Sequence, residues 1–187
     1  SVAEERIDDL MGRIPAHFVE LTVELLWQRA RLREREGNLE GALAELKELA
    51  RLQRNDPRPL LHRGRLMVEL GRLPQARVQL DGAIAWVQEA ELDAGQELRE
   101  VWEVGSLALY HRARSWSAEG KYDVARRDLG SAGSRDPGLG LARSLRLLAD
   151  LDQRQGNPES GVRKLVKAEE SWLRSARDHY QVGDFLQ

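Results

Sequence analysis

The chain has 187 residues and a mass of 21.2 kDa, with 41% hydrophobic and 32% charged residues, a balance too apolar for a disordered segment and a length that can bury one sizeable core. A formal net charge of −2 and a pI of about 6.1 argue against a general nucleic-acid binder, and the absence of cysteine excludes disulfides, thiolate metal sites and cysteine catalysis. No apolar run reaches membrane-spanning length and no signal-peptide core is present, so the cytoplasm is the expected compartment, with the periplasm as the alternative if a signal or anchor has been removed.

Strand signals are nearly absent and helical periodicity runs almost throughout, as in the three-and-four spacing of Leu25, Leu32, Leu39, Leu43, Leu46 and Leu49. In chain order the breaks predict helices near 3–13, 16–36, 39–54, 57–70, 73–91, 95–119, 122–133, 138–155 and 158–180. Glycine closes most of these helices and proline opens several, the expected stop and start chemistry. Loops this short force neighbouring helices to pack antiparallel.

The breaks recur, which predicts repeats. Gly37, Gly71, Gly120 and Gly156 each end a helix, and the flanking positions agree in register. Eleven residues before the glycine stand Leu26, Leu60, Leu109 and Leu145, and seven before stand Ala30, Gly64, Ala113 and Ala149. Two after come Leu39, Leu73, Tyr122 and Pro158; five after come Ala42, Ala76, Ala125 and Gly161. Nine after come Leu46, Leu80, Leu129 and Leu165, and twelve after come Leu49, Ala83, Ala132 and Ala168. Small residues on facing helices let two backbones approach while leucines fill the adjoining groove. A lone pair leaves its second face uncovered, so such pairs stack.

This series resembles the tetratricopeptide repeat family over about residues 23–170, and Asn55-Asp56-Pro57 and Arg135-Asp136-Pro137 look like its proline-terminated second helix. The resemblance implies an all-α, right-handed superhelical stack of antiparallel helix pairs, with about four repeats in a single domain. The expected divisions are an extra N-terminal helix or tail at 1–14, repeats at 16–54, 57–91 and 95–133, a fourth repeat or cap at 138–180, and a tail at 181–187. The third repeat has an unusually long first helix and the fourth a degraded pattern. Eight residues before the turn the family prefers a buried leucine, whereas this chain has Arg29, Arg63 and Arg112, which are expected to snorkel or face solvent.

No catalytic or metal constellation emerges. His17, His62, His111 and His179 lack metal-ligand spacing and read as surface or part-buried polar residues. Asp150 and Asp152 are too few oxygens for a calcium loop. Gly138-Leu139-Gly140 follows no strand and reads as a turn into a helix, and the acid pairs Asp8-Asp9 and Glu169-Glu170 read as solvated faces. Trp86, Trp102 and Trp172 read as packing residues. The expectation is a protein that is not an enzyme, with no cofactor and no metal.

In the family, the first helices of successive pairs line a concave groove. Alignment carries this over as four rungs: Glu24, Trp27, Arg31 and Arg35; Arg58, Leu61, Arg65 and Glu69; Leu107, Tyr110, Arg114 and Ala118; and Arg143, Arg146, Asp150 and Arg154. Spacings of three or four place each set on one helical face independently of the resemblance. Arg31, Arg65 and Arg114 share one rung position, and Trp27, Leu61 and Tyr110 share another. An arginine ladder beside apolar anchors suits a partner segment carrying carboxylates and a few apolar side chains. The predicted partner-binding residues are therefore Trp27, Arg31, Arg35, Arg58, Leu61, Arg65, Tyr110, Arg114, Arg143 and Arg146. The groove lacks the Lys and Asn with which some members clamp a chaperone's C-terminal carboxylate, so that specificity is not expected. The function that follows is a protein-interaction adaptor with an acidic protein or peptide partner, no nucleic acid and no membrane insertion. The alternatives are a structural subunit of a larger assembly, of membrane-associated or secretion type, using a convex or terminal surface such as the Trp172-Leu173 helix, or a regulatory or sensor domain of a longer protein.

Overall fold

The computed structural model describes residues 2–13, 18–92 and 98–184, with the side chains of 98 and 177–184 excepted. Among these residues the regular structure is helical, with no strand: α1 (Val2–Arg13), α2 (Val19–Arg35), α3 (Leu39–Leu52), α4 (Arg58–Glu69), α5 (Leu73–Leu92), α6 (Leu98–Ala118), α7 (Tyr122–Arg135), α8 (Leu139–Arg154) and α9 (Pro158–Asp184). The predicted all-α class holds, and element ends fall within a few residues of their predicted positions. Of the expected tail at 181–187, residues 181–184 continue α9 and residues 185–187 lie outside the described residues. The chain divides within α5 into two compact units, Ser1–Gln79 and Leu80–Gln187.

The four glycine turns are built alike. Gly37, Gly71, Gly120 and Gly156 have φ of 77°, 71°, 75° and 78°. In each, the glycine N–H donates to the carbonyl three residues back and the next N–H reaches the carbonyl five back, as in Gly120 to Ser117 (3.0 Å) and Lys121 to Trp116 (2.9 Å). This double closure satisfies carbonyls that a helix end leaves open, and it requires the left-handed backbone glycine adopts without strain. A Cβ on Gly120 would meet nothing within 4 Å, so the cost of a side chain there is one of backbone conformation alone. Gly120→Ala is expected to lose about 1 kcal/mol, read as a lower urea midpoint at unchanged slope.

The aligned small and leucine positions form the cores. In the first unit Leu26, Ala30, Ala42, Leu46 and Leu49 pack with Leu43 and Leu66, flanked by Trp27, Leu39 and Met67. In the second, Ala113, Ala125, Leu129 and Leu151 cluster with Tyr110, Trp116, Tyr122 and Leu148 around them. The Gly138-Leu139-Gly140 segment opens α8 as expected. The Asp136 carboxylate accepts from the N–H groups of Gly138 (3.1 Å) and Gly140 (2.7 Å) and so caps the helix start. Gly140 permits a close approach: a Cβ there would lie 2.3 Å from the Ser106 hydroxyl oxygen. That buried hydroxyl is held by the Ala132 carbonyl at 2.9 Å.

The arginines eight residues before the turn depart from expectation. Arg29 and Arg112 cross to the second helix of their own pair and meet an acid eight residues after the turn. Arg29 bonds Glu45 at 2.8 Å and Arg112 bonds Asp128 at 2.7 Å. Both acids are buried. Each arginine also reaches a neighbouring element, Asp8 of α1 for Arg29 and Asp81 of α5 for Arg112. Arg33 adds a second bond to Glu45 and takes Glu4 at 2.7 Å, which ties α1 to α2. In the second pair the same two positions hold Arg63 and Gln79. The Arg63 Nε and Gln79 Oε1 are buried without a hydrogen-bond partner among the described residues. The fourth pair has Leu148 and Lys164 there, and Lys164 turns instead to Asp152 and Ser160. Although burial alone would push the Asp152 carboxyl up, bonds from Lys164, Ser160 and Arg126 hold it well below the usual carboxylate range.

Candidate partner-binding site

The first two predicted rungs lie in the first unit, where side chains of α2 and α4 meet. Glu34 of α2 bonds Arg65 of α4 at 2.6 Å, and the rings of Trp27 and His62 meet edge-on with centroids 5.3 Å apart. The Trp27 indole N–H donates to Gln53 Oε1 at 3.2 Å, which fixes the ring across the end of α3. Trp27 is part-exposed, but Leu61 is only 5% exposed and gives its surface to the core. Arg58 folds back onto Asp56 through 2.9 Å and 2.7 Å bonds, while the Asp56 carboxylate also accepts the Arg58 backbone N–H at the start of α4. Arg65 is engaged by Glu34 and, at 3.2 Å, by Glu69. Arg31 and Arg35 are exposed, with no carboxylate within 4.0 Å among the described residues.

His62 lies beside these arginines and is largely buried. Burial, together with the positive charges of Arg65, Arg31 and Arg58, brings its pKa down to about 4, against which Glu34 pulls it up. Its sequence context gave no ligand geometry, and its neighbourhood emerges only when α4 lies against α2.

The last two rungs lie in the second unit. Tyr110 is part-exposed and stands edge-on to His111, with centroids 5.2 Å apart. Arg114 and Arg143 are part-exposed and Arg146 is exposed, none with a carboxylate within 4.0 Å among the described residues. Arg154 pairs with Asp150 one turn away at 2.8 Å.

The second unit also carries clefts that sequence reasoning did not locate. One of about 850 Å³ is lined by Glu91, Trp102, Arg127, Ser131, Arg135 and Pro137 among others, and two smaller ones of about 440 and 330 Å³ adjoin Arg112 and Arg99. None of the ten predicted residues lines these three clefts. Trp102, read as a packing residue, is 41% exposed at the cleft.

Among the described residues no group of three or more His, Cys, Asp or Glu side chains is placed to hold a metal ion, and no helix is long and apolar enough to cross a membrane. His17 and the His179 side chain lie outside the described residues.

The repeated helix pair is tetratricopeptide-like in its turns, its small-residue contacts and its register. No family model matches the chain and no curated protein does. Among solved structures it is similar to MamA (residues 41 to the end) from Desulfovibrio magneticus RS-1, at 19% identity and a TM-score of 0.34, covering 80% of this chain and 94% of that one. A crystal structure of MamA protein gives 18% identity and a TM-score of 0.36, covering 83% and 94%. YrrB, a TPR protein with an unusual peptide-binding site, gives 18% identity and a TM-score of 0.33, covering 76% and 82%.

Proposed function

We propose that the chain is a non-catalytic protein-interaction module in which each unit can take a partner segment carrying carboxylates and apolar side chains on the exposed side of its own first helices. The observation that supports this most is the contrast among the arginines. Arg29, Arg33, Arg65 and Arg112 are held in ion pairs, whereas Arg31 and Arg35 in the first unit and Arg114, Arg143 and Arg146 in the second keep guanidinium donors available among the described residues. A guanidinium without a local acid binds a ligand carboxylate through a planar two-point contact without first breaking a bond. Trp27 and Tyr110 offer part-exposed rings for apolar anchors beside these charges. Leu61 belongs to the core, and the exposed Arg58 is paired with Asp56.

Arg31 and Arg114 are the informative positions, because Arg65 also holds Glu34 and its reversal would disturb α2 against α4. Candidate ligands are selected from displayed peptides rich in Asp, Glu, Leu and Trp, then measured by fluorescence polarisation. Arg31→Glu and Arg114→Glu are each expected to weaken binding tenfold or more, with less loss at high salt and unchanged thermal midpoints. Equal affinity in both reversed proteins would rule out this face.

A further inference from the structure

The last helix carries an apolar stripe on its outer side. Val162, Leu165, Val166, Trp172 and Leu173 are 57%, 41%, 54%, 49% and 54% exposed. Their spacing places them on one side of α9, about a third of a turn round from Gly161, Ala168 and Ser171, which are buried. The repeat register shows how unusual this is. Leu165 aligns with Leu46, Leu80 and Leu129, which are 3%, 0% and 1% exposed. Leu46 packs in one cluster with Leu66 of the following helix, and Leu129 in one cluster with Leu151 of the following helix. Leu165, at the edge of the stripe, thus stands at a position that earlier pairs bury.

The charges beside the stripe say what would cover it. Glu159, Arg163, Glu170 and Arg174 are exposed along one of its edges, and none has an opposite charge within 4.0 Å among the described residues. Read in opposite directions the four are complementary: in an antiparallel pairing of two α9 helices, Glu159 meets Arg174 of the second copy and Arg163 meets its Glu170. The two-fold axis then makes each contact occur twice. The same register places Val162, Leu165 and Val166 around the axis and brings Trp172 and Leu173 over the start of the opposite helix. Glu169, which interrupts the stripe, comes within reach of the opposite Arg163.

We infer that the outer face of α9 is a homodimer interface, in which two copies pair antiparallel through this stripe with Arg163 and Glu170 as reciprocal ion-pair partners. A contact made by one helix from each copy lies at the small end of interface sizes, so a reversible dimer in the micromolar range is expected. Sedimentation velocity on the whole chain from 1 to 100 µM tests this. The wild type is expected to shift from monomer to dimer across that range. Leu165→Glu is expected to remain monomeric at 100 µM, with a helical circular dichroism spectrum like that of the wild type. Glu170→Arg sets arginine against arginine and is expected to weaken association at least tenfold. Adding Arg163→Glu to it restores the pair with reversed sign and is expected to recover most of the loss. A wild type monomeric at 100 µM overturns the inference. So does a dimer indifferent to Leu165→Glu, or a Glu170→Arg defect that the second reversal does not repair.

Discussion

Replacing Asp128 with alanine is expected to destabilise the second unit by about 3 kcal/mol, and replacing Arg112 with leucine in the same protein is expected to recover most of that loss. The Asp128 carboxylate is buried between α6 and α7 and receives the Arg112 guanidinium through two bonds of 2.9 Å and 2.7 Å. The Asp128 hydrogen bond, set against burial and joined by Asp81, raises the Arg112 pKa above its ordinary value, so the side chain stays charged at every accessible pH. Removing the acid therefore leaves a partly buried cation with only the exposed Asp81 to answer it. Leucine at 112 removes that cation and supplies apolar contact at a position where the fourth pair already carries Leu148. The measurement is a double-mutant cycle by urea unfolding. If Arg112→Leu with Asp128→Ala costs as much as Asp128→Ala alone, the loss comes from packing around Asp128 and not from a stranded charge.

That pair also marks where sequence reasoning stopped. The four turns were legible because a helix C-terminus in the left-handed conformation selects glycine, and the small rows were legible because close helix approach excludes larger side chains. Both constraints act on one residue at a time. The ion pairs are constraints on two residues sixteen apart, read only when the position eight after the turn (Glu45, Gln79, Asp128, Lys164) is set beside the position eight before it (Arg29, Arg63, Arg112, Leu148). Taken alone, the arginine row suggested exposure; taken with its partners, it places charge inside the pair.

The candidate site divides in the same way. Spacing put Trp27, Arg31, Leu61 and Arg65 on one helical face each, but a face has a core-side edge and a solvent-side edge. Leu61 falls on the first and Arg31 on the second. Nor does spacing along one helix reveal that Arg65 is spoken for by Glu34, or that His62 meets Trp27, because both contacts join α4 to α2. The α9 stripe was present in the sequence as a helix with Trp172 and Leu173, yet its exposure becomes meaningful only against the buried equivalents Leu46 and Leu129.

The second large effect is a pH dependence carried by His62. Its folded pKa of about 4 lies below the ordinary value of 6.5 expected for the unfolded chain, chiefly because burial disfavours the imidazolium, with Arg65 adding repulsion. The unfolded chain therefore binds a proton that the folded one refuses, and stability falls as pH drops through the window from 6.5 to 4. Above that window His62 is neutral in both states and contributes no slope. Integrated from pH 7.5 to 5, the loss is about 2 kcal/mol. The carboxylates act in a different range. Arg65 holds the Glu34 carboxyl below its ordinary value of 4.5, so the stability it contributes is present above that pH and is lost only as pH falls further. Unfolding free energies at intervals between pH 7.5 and 5 should thus decline in the wild type and stay nearly level in His62→Gln. The same decline in both would assign the slope to another group.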